Sequence, residues 1–363
     1  MIRPATLGDI PQLVEIEKVC FDSDRLSRRN FRYMLTKGHA DTLVAEQDGR
    51  LVGYAMVLFH RGTSLARLYS IAVTQEARQG GLGRRLVAAA EDAALAHDCI
   101  YMRLEIRVDN KASLRLFESM GYQQFGRYMQ YYDDLSDAVR LEKRLVQNIP
   151  PNMTSVPYYQ QTLDFTCGPA ALMMAMKALD DHTEMSRHLE LRLWRESTTI
   201  YMTSGHGGCG PYGLALAAHH RGFRVEIYVK EGETLFVDSV RSEEKKEVIR
   251  LVDEDFLEEI GHLPVKLSYH RLTLVGIIEA LDSGAVPVIL ISSYRIYKEK
   301  FPHWVVVTGH DDRYIYFHDP YIDEEKGKTV TDCVNMPILH KEFERMAQYG
   351  KSGQRAALIL YPP

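Results

Sequence analysis

"ARLYSIAVTQEARQGGLGRRLVAAAEDAALAH" runs from Ala66 to His97 and joins three patterns: a strand-like apolar run, a glycine turn and a long helical stretch. Gly80, Gly81 and Gly83 let the backbone turn tightly and bring successive N–H groups close to a ligand. The helix that follows adds its positive N-terminal end, and Arg84 and Arg85 add full charges, so the unit suits a phosphate group. On the glycines alone, a surface turn with solvated arginines fits equally well. At this turn neither the G-x-x-x-x-G-K-S/T loop nor the G-x-G-x-x-G fingerprint is matched.

The surrounding chain alternates between helical and strand patterns. Asp9 to Cys20 reads as an amphipathic helix, capped near Gly8 or Asp9, with Ile10, Leu13, Val14, Ile16 and Glu17 at helical spacing. A second helix is expected over Arg28–Leu35. "DTLVAEQDGRLVGYAMVLF" (41–59) reads as a hairpin turning at Asp48-Gly49. "YMRLEIRV" (101–108) is a further strand, and "NKASLRLFESM" (110–120) a helix stopped by Gly121. Two terminal strands follow. The expected fold is α/β, a mixed sheet with helices on both faces.

With 363 residues the chain exceeds what one core usually serves, so two domains are expected. "LVQNIPPNMTSVP" (145–157) has three prolines, small polar residues and no helical period. It divides the chain into a first domain at 1–147, a linker at 148–156 and a second domain at 157–363. The first 150 residues hold 21 Lys and Arg against 19 Asp and Glu, the remainder 23 against 30. Neither part has the basic stripe of a nucleic-acid binder. No signal peptide is read at the start, and runs such as "VPVILI" are too short for a membrane span. Cys20, Cys99, Cys167, Cys209 and Cys333 are odd in number and widely spaced, against a disulfide framework or a zinc site and in favour of the cytoplasm.

Arg78-x-x-Gly81-x-Gly83, directly after "LYSIAV", resembles the acetyl-coenzyme-A site of the GNAT acetyltransferases. "LEIRVDNKASLRLFESMGY" (104–122) matches the second signature of that family. The tail "YYDDLSDAVRLEKRL" (131–145) resembles the end of ribosomal-protein alanine N-acetyltransferases. The resemblance implies that acetyl-CoA is the co-substrate and that the backbone of Ile71, Ala72 and Val73 pairs with the pantetheine arm. It implies that N–H groups from Gln79 through Gly80, Gly81 and Gly83 to Arg84 hold the pyrophosphate, and that Asn110 contacts the cofactor near its thiol. Glu105 falls at the general-base position, and a base is needed because a cationic amine cannot attack a thioester. Glu105 also suits a plain strand carboxylate paired with Arg103 or Arg107. The family usually has a tyrosine acid seven residues after the asparagine; here that residue is Phe117, with Tyr128, Tyr131 and Tyr132 as substitutes.

The second half repeats Cys-Gly-Pro, in "DFTCGPAALMMAM" (164–176) and "GGCGPYGLALAAH" (207–219). Each cysteine opens a helical run whose positive end favours a thiolate, so position alone does not separate them. Gln161, six residues before Cys167, can supply an amide N–H to an oxyanion, whereas Thr203 holds the same place before Cys209. Cys167 is therefore the nucleophile candidate. "HWVVVTGHDDRYIYFHDP" (303–320) reads as a hairpin turning at Asp311-Asp312, which places His303 roughly across from Asp319. His318 points to the other face. Cys167, His303 and Asp319 thus form a candidate triad with Gln161 at the oxyanion site.

The set Q-x(5)-C-G-x-A, "SGAVPVILIS" (283–292), H-x-V-V-V-x-G and D-P resembles the double-glycine leader peptidases of bacteriocin export. That implies an α+β papain-like fold and a peptide substrate. Residues 180–270 lie outside the resemblance. His206 and Cys209 are too few for a metal site, and "RSEEKKEVIRLVDEDFLEEI" (241–260) reads as a solvated amphipathic helix with Val248, Leu251, Val252 and Phe256 inward. The expected whole is a bifunctional enzyme acting on a peptide or protein, with neither nucleic acid nor membrane as partner. An idle peptide-binding module, or acyl transfer to an amine, are the alternatives for the second half.

Overall fold

A computed structural model of the chain describes residues 1–363 except 147–150, 200–206, 231–233, 238–239, 241, 300, 325–327 and 351. Two compact units emerge, Met1–Asn148 and Ile149–Pro363. Among the described residues, no helix is long and apolar enough to cross a membrane.

The first unit comprises β1 (Ile2–Pro4), α1 (Ile10–Cys20), α2 (Arg28–Thr36), β2 (Ala40–Gln47), β3 (Arg50–Phe59), β4 (Leu65–Val73), α3 (Leu82–Ala96), β5 (Tyr101–Arg107), α4 (Lys111–Ser119), β6 (Gln123–Tyr128) and β7 (Ala138–Arg144). Seven strands form one sheet in the order β1-β2-β3-β4-β5-β7-β6, with β4 and β5 parallel and the other pairs antiparallel. Asp48 and Gly49 both have positive φ, 48° and 75°, as a two-residue turn between β2 and β3 requires. Side-chain alternation along β3 serves two cores. Tyr54 and Met56 pack with Leu13, Ile16 and Phe31 of α1 and α2, while Ala55 and Val57 pack with Leu86, Val87 and Ala90 of α3. This is the mixed sheet with helices on both faces that the alternating pattern predicts.

The second unit comprises β8 (Asn152–Met153), α5 (Cys167–Leu179), α6 (Arg187–Ser197), α7 (Pro211–His219), β9 (Arg224–Val229), α8 (Glu243–Gly261), β10 (Lys266–Ser268), α9 (Leu274–Asp282), β11 (Val286–Ser292), α10 (Tyr294–Tyr297), β12 (Pro302–His310), β13 (Tyr314–His318), α11 (Val330–Cys333), β14 (Met336–Leu339), α12 (His340–Met346) and β15 (Ala356–Tyr361). Its sheet runs β10-β9-β15-β11-β12-β13-β14, with β8 beside β12. Among the described strands of this sheet, only β9 and β10 pair in parallel. Val288 and Leu290 of β11 face the core built on α5 and α7, while Ile289 and Ile291 face that of α9 and α12. Every residue from Gly168 to Met176 is buried, the mark of an interior helix.

Three expectations differ from the structure. Within the 148–156 stretch read as a linker, Met153 and Asn152 pair with Gly309 and His310, so this part is built into the second sheet; 148–150 lie outside the described residues. The β12–β13 turn is centred on Asp312-Arg313, one residue later than expected, so His303 and Asp319 approach diagonally instead of face to face, and a bulge between Val307 and Gly309 takes back one residue of the offset. On α8, Val248 and Leu251 are exposed, and the inward stripe is Ile249, Asp253 and Ile260, with Phe256 packed beside it. An acid occupies the core position that the apolar pattern assigns to its neighbours.

Two candidate active sites

β4 and β5 pair only where Leu65–Arg67 meet Tyr101–Arg103. Beyond that point the parallel strands diverge and a cleft of about 470 Å³ opens between them. It is lined from one face by Phe21 and Leu26 after α1, and from the other by Asn110 and Phe117 of α4. Ile71, Ala72 and Val73 lie on the diverging part of β4, bonded to β3 on one side only. Their other edge is available to an extended ligand.

The glycine turn follows. Gln79 and Gly81 adopt positive φ, 71° and 69°, and α3 begins at Leu82. The first N–H groups of a helix lack intrahelical acceptors, so the stretch from Gln79 through Gly80 and Gly83 to Arg84 presents donors. Two arginine side chains turn inward on the protein: Arg78 Nε donates to Val73 O at 3.1 Å and Arg84 to Ser119 Oγ at 2.6 Å. Asn110 caps α4, its side-chain oxygen accepting Ser113 N–H at 3.1 Å.

Glu105 sits at the fork of the two strands. It pairs with Arg67 at 2.9 Å, both side chains almost fully buried, and its Oε1 has no hydrogen-bond partner. The anticipated partners Arg103 and Arg107 are engaged elsewhere, Arg103 with Glu142 and Arg107 with Asp109 and Asp134. Phe117 is buried edge-on against Tyr122. Tyr131 and Tyr132 line the cleft, whereas Tyr128 stacks behind Tyr131. Tyr131 accepts a hydrogen bond from Arg67 at 2.8 Å. Burial pushes the Tyr131 phenol up, and that of Tyr132 to about 12.

In the second unit, His303 and Asp319 are both fully buried, with His303 Nε2 2.6 Å from Asp319 Oδ1. The Cys167 side chain lies close enough to the ring to favour its protonated form. Burial alone would push the imidazole down, but the Asp319 charge and hydrogen bond, with Cys167 close by, raise it to about 10. His303 therefore carries its proton at neutral pH. Tyr297, Phe301 and Tyr321 stand edge-on around it and fix the ring plane. Asp319 is opposed by burial, yet His303 and the nearby Lys328 hold it below the usual carboxylate range. Its oxygens also accept Tyr297 O–H at 2.6 Å and Tyr321 N–H at 2.9 Å. His318 is locked as a neutral ring, between Val156 O and Asn335 N–H.

Cys167 is partly exposed at the first turn of α5; Cys209 is buried. Gly168, the neighbour of Cys167, packs against Cys209: a β-carbon added there would lie 3.3 Å from Cys209 Cβ and 3.2 Å from Trp304. Burial raises the Cys209 thiol far above its ordinary range, and its carbonyl accepts Trp304 Nε1–H at 3.1 Å. Thr203 and His206 lie outside the described residues. Gln161 is buried, one amide hydrogen donated to Leu163 O at 2.8 Å.

The sequence reading missed Glu190. Fully buried on α6, it accepts Thr162 N–H at 2.8 Å, Thr162 O–H at 2.7 Å, Tyr159 O–H at 3.0 Å and the Thr166 hydroxyl. This carboxylate therefore holds the loop that carries Gln161 and leads into Cys167. Hydrogen bonds to a charged group contribute about 1.5–3 kcal/mol each, so the loop is firmly set.

Residues 10–122 match the Acetyltransferase (GNAT) family and residues 156–361 the Peptidase_C39 like family. A Bacillus subtilis protein named "Putative [ribosomal protein bS18]-alanine N-acetyltransferase" is 31% identical over 133 residues, 37% of this chain and 87% of that protein. N-alpha-acetyltransferase RimI of Mycobacterium tuberculosis is 31% identical over 138 residues, 36% of this chain and 85% of that protein. N-alpha-acetyltransferase 30 of Schizosaccharomyces pombe is 28% identical over 137 residues, 37% of this chain and 89% of that protein. The chain thus joins a GNAT-family N-acetyltransferase to a second unit, and through that unit, more than half its length, it belongs to the Peptidase_C39 like family.

Proposed function

We propose that the protein is bifunctional: an acetyl-CoA-dependent N-acetyltransferase for an α-amine of a peptide or protein, joined to a cytoplasmic cysteine peptidase of papain-like fold. Acetyl-CoA supplies a thioester as acyl donor. The free edge of β4 at Ile71–Val73, the donors from Gln79 to Arg84 and the amide of Asn110 fit its arm, pyrophosphate and thiol end. Glu105, with Oε1 unpartnered inside the cleft, serves as base toward the acceptor amine. Tyr131 or Tyr132 protonates the leaving thiolate in place of Phe117.

In the second unit Cys167 is the nucleophile. His303 pairs with the thiolate and later gives its proton to the departing amine, while Asp319 orients the ring. Gln161 and the Cys167 N–H face the developing oxyanion. The observation that carries this reading is the buried imidazole bonded to Asp319 with the Cys167 side chain close by.

Peptide mapping after iodoacetamide treatment near pH 6 tests it, because an ordinary thiol near 8.5 reacts little there. Burial raises Cys20, Cys99 (to about 12) and Cys209, so these should stay silent. Cys167 should label selectively and lose that label in His303→Ala. Slow, unselective labelling would recast the second unit as a peptide-binding module.

A further inference from the structure

The base assigned to the first unit is tied to Arg67, but a second carboxylate reaches the same cleft through two hydroxyls. Glu17, 2% exposed on α1, points into the core shared by α1, α2 and the sheet. Its Oε2 accepts Leu26 N–H at 2.5 Å, and its Oε1 accepts the Tyr54 hydroxyl. Tyr54 Oη lies 2.6 Å from Ser70 Oγ, and Ser70 lines the cleft. A bulge at Tyr69, between the pairs Met56–Ser70 and Val57–Leu68, sets Ser70 on the same face of the sheet as Tyr54.

The polarity of this chain is determined at its buried end. An ionised carboxylate only accepts, so Tyr54 donates to Glu17. The Tyr54 oxygen then accepts from Ser70, and the Ser70 oxygen can offer the cleft only lone pairs. The chain therefore presents an acceptor where an ammonium ion would arrive. We propose that Ser70, Tyr54 and Glu17 form a proton relay that takes the first proton from the arriving ammonium ion, leaving Glu105 to take the second as the amine attacks, a role that rests on reading this cleft as the amine site.

One N–H bond of the ammonium breaks as Ser70 Oγ takes the proton. The former Ser70 proton passes to Tyr54 Oη, and the former Tyr54 proton to Glu17 Oε1. An ammonium and a carboxylate become a free amine and a carboxylic acid, and the proton returns to water by the same path after product leaves. Burial raises Glu17, against the hydrogen bonds from Tyr54 and Leu26 and the charge of Arg25, which brings it closer to the proton it must hold. The titratable and charged groups that face it are Tyr54, Cys20 and Arg25. Ser70 would be the catalytic residue in contact with the amine; Tyr54 and Glu17 act through it.

The test measures CoA release by the full chain from acetyl-CoA and an alanine-initiated peptide, from pH 6 to pH 10. Tyr54→Phe, Ser70→Ala and Glu17→Gln should each lower kcat/KM at pH 7 by about 5- to 10-fold, because only about a tenth of a terminal amine is free there. The deficit should shrink to within about 1.5-fold near pH 10, where nearly all of the amine is free. KM for acetyl-CoA should not move. A loss of equal size at every pH, or unchanged rates in Tyr54→Phe and Ser70→Ala, would overturn the relay and leave Glu17 a clamp on Leu26. Absence of CoA release by the natural chain would overturn the amine-site reading and the relay with it, a result distinct from either variant outcome.

Discussion

Cys167 and Cys209 share one tripeptide and one core, yet their surroundings assign them opposite chemistry. Cys167 keeps part of its surface open and lies close to the His303 imidazole. Cys209 is sealed beside Gly168, where even a β-carbon would crowd it. The helix end separates them as well: Cys167 is the first residue of α5, whereas Cys209 stands two residues before α7 and bridges Thr198. The strand pair that carries His303 and Asp319, a long-range feature of the fold, completes the difference.

The sharpest way to break this contrast is to remove the charge behind His303. Asp319→Asn takes away what raises the imidazole to about 10, so the ring should lose its proton near neutrality. Cys167 labelling at pH 6–8 should fall by about 100-fold in timed alkylation, and the selectivity over Cys209 should shrink accordingly. The same pairing has a sign in stability. His303 is raised above its ordinary range, so its contribution is full below about pH 6.5 and lost as pH climbs through 10.

On the Cys209 side, α7 carries Tyr212, which faces Asp253 of α8. Both oxygens of Asp253 lack partners among the described residues, and burial raises it to about 7. The folded state therefore holds a proton that the unfolded chain releases, and stability should fall as pH rises from about 4 through 7. Asp253→Asn should abolish that slope, with a gain over the natural chain at pH 8 relative to pH 5 of about 2 kcal/mol in denaturant unfolding. A parallel shift at both pH values would show that Asp253 has an unseen partner.

The smallest expected effect sharpens the role of the loop. Glu190→Gln should slow acylation of Cys167 by p-nitrophenyl acetate by about 10-fold, because that reaction needs the oxyanion donors. Alkylation by iodoacetamide, which does not, should stay within about threefold. Equal losses in both would make Glu190 a general fold residue.

Much of the fold was legible because it is written locally. Asp48-Gly49 announces its hairpin, Asn110 caps α4, and the apolar run after Cys167 is helical at every position. Of the candidate sites, the hairpin carrying His303 and Asp319 was legible to within one residue of turn position, because Asp311-Asp312 and Asp312-Arg313 are both polar pairs and only the strand pairing chooses between them. The rest depends on distant partners. Arg67 meets Glu105 across two strands, and Glu190, in a stretch that looks like any surface helix, turns inward to a loop some 28 residues earlier in the chain. On α8, periodicity chose Val248 and Leu251, since no hydropathy rule places Asp253 in a core.

The divergence of β4 and β5 makes an opening that passes through the sheet, with Phe21, Leu26 and Ser70 toward α1 and Asn110 and Phe117 toward α4. On the proposed assignment, donor and acceptor enter by separate doors and meet only at the fork. Neither needs to leave before the other arrives, so steady-state kinetics should show a ternary complex with intersecting double-reciprocal lines. A protein terminus could also dock, react and withdraw while the spent donor stays in place.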